Sequence, residues 1–122
     1  MENNIIVQRL RRAEESPLQK AIRYYTILSS INDLEMTERE IQLVAFTAIK
    51  GNISYSSNRQ EFCTLYKSSS PTINNMISKL KKIEVLVKDN SKIKVNPKIL
   101  LDFNKPIVIQ IILNGKTTKP TS

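Results

Sequence analysis

The sequence predicts a mainly α-helical fold closed by a small β-hairpin, an α+β domain, and three observations carry that prediction. Apolar residues recur at helical spacing in successive stretches, two of which open on a capping box, Ser16 with Gln19 and Thr37 with Glu40. The last helical stretch leads directly into Val85-Leu86-Val87, a polar turn, and a return through Ile93 and Val95. At 122 residues the chain is long enough for one core and too short for two ordinary domains. It divides into an N-terminal arm (1–15), a helical and hairpin domain (16–104) and a C-terminal strand with a polar tail (105–122).

In the arm, Ile5-Ile6-Val7 precedes Arg9, Arg11 and Arg12, a run too short for periodicity to separate strand from helix. Ser16 caps a first helix with Pro17 at its start, and Leu18, Ile22, Tyr25, Leu28 and Ile31 fall on one face. Thr37 caps a second, whose broad stripe of Ile41, Leu43, Val44, Ala45, Phe46, Ala48 and Ile49 marks it as the central helix, ended by Gly51. The acids from 33 to 40 suit a helix N-terminus and its dipole better than a catalytic pair or a cation site. Residues 52–57 read as a loop, or as a short strand through Ile53 and Tyr55 that pairs with the hairpin.

A third helix is expected from Asn58 as cap, with Phe62 and Leu65 inward and Cys63 and Tyr66 beside them. Lys67-Ser68-Ser69 is the turn, and Ser70-Pro71 launches a fourth helix to Ile83. On that helix Ile73, Ile77 and Leu80 share one face, with Met76 and Ile83 on its flank. The opposite side holds Asn75, Ser78 and Lys82, flanked by Thr72 and Lys79, and carries no acid. Asn can pair with adenine, Ser and Thr can reach bases or phosphates, and Lys can reach guanine or phosphate. Ser69, Ser70 and Thr72 place hydroxyls and free amides at the helix start, where a phosphate can dock. The alternative is an ordinary solvated face. Residues 88–92 form the hairpin turn, and Lys88, Lys92 and Lys94 make the hairpin a basic wing beside the helix.

Composition sharpens this. Residues 1–66 carry eight charges of each sign, whereas 67–122 carry eleven Lys against Glu84, Asp89 and Asp102, so the net +8 lies in the second half. Such a field suits a polyanion, nucleic acid first and an acidic protein second, with plain solubility as the alternative. The chain has no His and a single Cys, Cys63, which suits a core position. Zinc of the usual kinds, Ser/His or Cys/His nucleophiles and an intrachain disulfide are therefore not expected, nor are a cofactor or an enzymatic activity. The opening MENNIIVQRLRR does not have the form of a secretory signal, and a soluble, cytoplasmic protein is expected.

The segments TEREIQLVAFTAIKG and EFCTLYKSSSPTINNMISKLKKIEVLVKDNSKIKVNP, from Thr37 to about Pro97, resemble the winged helix-turn-helix domains of MarR-like regulators and of plasmid or phage replication initiators. The resemblance implies binding of double-stranded DNA through Ser70, Thr72, Asn75, Ser78 and Lys79 on the recognition helix, and Lys88 and Lys92 on the wing. It implies a transcription or replication regulator, acting as a homodimer in the host cytoplasm if phage-encoded. The chain departs from the pattern by carrying Glu84 where Gly is common, and by having no Arg in the wing.

After Pro97 a short apolar segment (98–103) precedes residues 106–113, PIVIQIIL, the most β-prone run in the chain. Apolar on both faces, it should be covered or paired, and Ile107, Ile109, Ile111 and Leu113 are the candidate oligomerisation residues. A second reading follows, in which the protein is a structural or adaptor component of a larger assembly such as a phage virion. Residues 115–122 have the composition of a polar tail.

Overall fold

The computed structural model describes residues 4–9 and 15–113; the rest of the arm and the 115–122 tail lie outside the described residues. Four helices, α1 (Pro17–Ile31), α2 (Glu38–Lys50), α3 (Ser56–Tyr66) and α4 (Ser70–Lys82), precede an antiparallel hairpin of β1 (Leu86–Asp89) and β2 (Lys92–Val95). This is the α+β architecture expected, a helical bundle followed by a hairpin, and its shape is compatible with a winged helix.

Local chemistry explains most boundaries. Ser16 and Thr37 form complete capping boxes with Gln19 and Glu40. Gly51 ends α2 at φ +95°, a left-handed backbone that costs glycine little and strains any side-chain-bearing residue. Asn90 and Ser91 both have positive φ, 50° and 67°, the two-residue loop whose twist matches a right-handed hairpin. Glu84 adopts φ +62° between α4 and β1, so the chain makes the turn for which glycine is usual and carries its strain. Asn96 braces it, its amide donating to the Glu84 carbonyl at 2.9 Å while its backbone N–H bonds to Val85.

The core lies between α1, α2 and the α3–α4 unit. Tyr25, Leu43, Val44, Phe46, Ile53, Phe62, Ile73, Leu80 and Leu86 are its largest enclosed apolar side chains. α1 packs along α2, and Phe62 meets Phe46 edge-on with ring centres 5.4 Å apart. Beyond β2 the chain returns over α1, placing Phe103 against Tyr24 and Tyr25. The Tyr25 hydroxyl donates to the Ile99 carbonyl at 2.8 Å, and burial pushes its phenol well above the ordinary value.

Several sequence expectations are corrected. α3 starts at Ser56 without a side-chain cap, because the Asn58 amide donates to the Asn52 carbonyl across the preceding loop. Leu65 faces outward, so Phe62 alone is buried from α3, with Cys63 and Tyr66 half-buried. Ile31 is also exposed; Ala21, Tyr25 and Ser29 form the enclosed face of α1. α4 starts one residue earlier than Pro71, capped by Ser69, since Lys67 in a left-handed conformation closes α3 and shortens the turn. The loop at Ile53 forms no strand, although its amide bonds to the Ile93 carbonyl at 2.9 Å and the Ile93 amide bonds to Ser54 Oγ at 2.7 Å. Residues 106–113 form no strand and pair with none among the described residues. Ile107 is half-buried against the core, while Val108, Ile112 and Leu113 stand clear of it.

Candidate nucleic-acid interface

Helix α4 turns Ile73, Met76, Ile77 and Leu80 into the core, which forces Asn75, Ser78 and Lys82 outward. Asn75, Ser78, Lys82 and Ser70 are exposed and none bonds through its side chain to a described residue. Thr72 is exposed too, but its hydroxyl lies 2.9 Å from Ser69 Oγ, so both hydroxyls are shared within the helix cap. β1 packs against α4, so the hairpin adjoins the helix that carries this face.

Lys88 at the hairpin is exposed and unpaired among the described residues. Lys92, next to the hairpin turn, lies over the Tyr55 ring at 4.9 Å from its centre, which holds the ammonium without cancelling its charge. Lys94 is offset by Asp89 at 3.5 Å, a surface pair worth little by itself. The result is a polar α4 face and a wing on which Lys82, Lys88 and Lys92 have no acidic partner among the described residues.

Two long-range contacts were invisible to periodicity. Arg59 of α3 donates to the Ile53 carbonyl at 2.9 Å and to Asn74 Oδ1 at 2.7 Å, tying the start of α3 to α4. Lys79, placed on the polar face from sequence, reaches sideways instead. Its ammonium is 2.9 Å from Glu40 Oε1 and 3.4 Å from the Glu35 carbonyl. Glu40 is enclosed, and the same oxygen accepts the Thr37 amide at 2.8 Å.

Burial pushes the Glu40 carboxyl up, but the Thr37 amide and the Lys79 ammonium outweigh it and hold the group below its ordinary value. A carboxyl lowered in the folded state stabilises the fold above the ordinary carboxylate range. That contribution disappears as the pH falls through the lowered value. Thermal melts from about pH 5 to about pH 3 are therefore expected to lose more stability in the parent than in Glu40→Gln. Equal losses would show that Glu40 does not report on folding.

Among the described residues, no group of three or more His, Cys, Asp or Glu side chains is placed to hold a metal ion, and no helix is long and apolar enough to cross a membrane. Comparison with protein-family models, curated proteins and solved structures finds no match.

Proposed function

We propose that this protein binds double-stranded DNA, with α4 in the major groove and the β1–β2 hairpin as a wing on the adjoining backbone. The observation that carries the reading is the acid-free outer face of α4 beside a wing whose Lys88 and Lys92 are unneutralised among the described residues. Asn75 and Ser78 are the base-reading candidates; Ser70, Thr72, Lys82, Lys88 and Lys92 position the helix on phosphate. A non-enzymatic regulator of transcription or replication, of phage or plasmid type, is the role that suits such a module. Titration of a labelled duplex across a salt series tests it. The log–log slope should be about −0.9 per phosphate neutralised, and no binding at low ionic strength would end the reading.

A second feature bears on assembly. Val108 and Leu113 are each 91% exposed and Ile112 is 69% exposed, on a β-prone segment that pairs with no strand among the described residues. Antiparallel pairing with a second copy about Gln110 sets Ile109 opposite Ile111, Val108 opposite Ile112 and Ile107 opposite Leu113. Gln110 then meets its own counterpart, whereas a register shifted by one to three residues sets its amide against an apolar side chain. This suits a homodimeric regulator; use of the same strand on a different protein suits the adaptor alternative. Ile111→Lys with Leu113→Lys should convert a dimer to a monomer by light scattering, and Gln110→Cys should cross-link better than Val108→Cys. A parent that is already monomeric removes the self-pairing and leaves the adaptor role.

A further inference from the structure

The ion pair between Lys79 and Glu40 joins three parts of the fold. Lys79 belongs to the last turn of α4, Glu40 to the first turn of α2, and the Glu35 carbonyl to the turn between α1 and α2. Glu35 is held at φ +55°, and its carbonyl lies within 3.4 Å of the ammonium. The Glu40 side chain is 8% exposed, so the carboxylate is largely sequestered from water and Lys79 is its only cationic partner among the described residues. A phosphate that drew Lys79 away would strand a buried carboxylate, a far larger penalty than moving an exposed lysine.

We infer that Lys79 serves DNA binding as a positioning residue, fixing the orientation of α4 against the α1–α2 scaffold through Glu40, and not as a phosphate contact. The inference rests on the DNA-binding reading above. Lys79 and Lys82 lie three residues apart on one helix and are equally basic in sequence, yet only Lys82 projects without a partner among the described residues. Removing Lys82 should remove a counterion-releasing contact. Removing Lys79 should let α4 shift and spoil contacts made by its neighbours.

The two roles separate in a salt series on one duplex, measured well below the melting midpoint of each variant. Lys82→Met should reduce the magnitude of the slope by about 0.9. Lys79→Met should weaken binding about tenfold, the worth of one good base contact, with the slope unchanged, and Lys79→Arg should restore it. A residue that only stabilises the fold would leave affinity intact under these conditions. The double variant Glu40→Gln, Lys79→Met removes the stranded carboxylate, so it keeps the test open if the single variant does not fold. It too should bind about tenfold more weakly with an unchanged slope. A slope that falls for Lys79→Met as it does for Lys82→Met, or an affinity equal to the parent's, overturns the positioning role and leaves DNA binding standing. A parent that binds no duplex overturns both, and shows itself before any variant is made.

Discussion

Phe62→Ala is expected to remove a large share of the stability of the protein. Phe62 is the only side chain that α3 buries, and it closes on Phe46 of α2 at 5.4 Å and on Tyr66 at 4.8 Å. Truncating an enclosed phenylalanine costs about 3–5 kcal/mol, against about 5–15 kcal/mol for a whole domain. In a domain of this size that corresponds to a fall of about 10–30 °C in the melting midpoint. With the ring gone, α3 keeps only half-buried Cys63 and Tyr66 and the Arg59 bonds to Ile53 and Asn74 to hold it beside α4. Leu65→Ala on the same helix is the control: Leu65 is 53% exposed and its truncation should change stability by less than about 0.5 kcal/mol. Melting curves followed by circular dichroism compare the two. A Phe62→Ala protein within a few degrees of the parent would mean that α3 is held elsewhere.

Replacing Lys82, Lys88 and Lys92 together by Met should cost roughly a thousandfold in duplex affinity at low salt, at about tenfold for each phosphate no longer neutralised. The slope of the salt series should shrink by about 2–3, because three counterion-releasing lysines go together. Folding should be little affected, since Lys82 and Lys88 are exposed and Lys92 gives up only its place over the Tyr55 ring, about 0.5–1 kcal/mol. Asn75→Ala should behave differently, relaxing discrimination between sequences while leaving the slope in place. If the triple variant binds as the parent does, the wing and the end of α4 do not face the duplex.

The parts of the fold legible from sequence depend on neighbours a few residues apart. The capping boxes at Ser16 and Thr37 and the left-handed stop at Gly51 form as read, and the hairpin turn forms within 88–92 but narrows to Asn90-Ser91, because each is settled by hydrogen bonds and backbone sterics within one turn. The buried face of α4 was legible for the same reason. Its apolar residues return every three or four positions, and the polar face follows as the remainder. Where a local signal competed with a partner in another element, the distant partner won. Asn58 makes a good cap by composition, yet its amide is drawn to Asn52 and α3 begins earlier.

An α+β domain with a basic second half and a polar outer face on its fourth helix could be read from the chain in order, because composition and periodicity are properties of that order. Which of the basic groups are free depends instead on the folded arrangement. Lys79, Lys82, Lys88 and Lys94 look alike in sequence, but Glu40 claims the first, Asp89 the last, and the other two project without an acid among the described residues. An ion pair forms where folding brings opposite charges within a few ångströms, and it holds most firmly where one partner is shielded from water. Glu40 and Lys79 are 39 residues apart, a separation at which no sequence pattern specifies contact, and they meet because the fold brings the start of α2 to the end of α4.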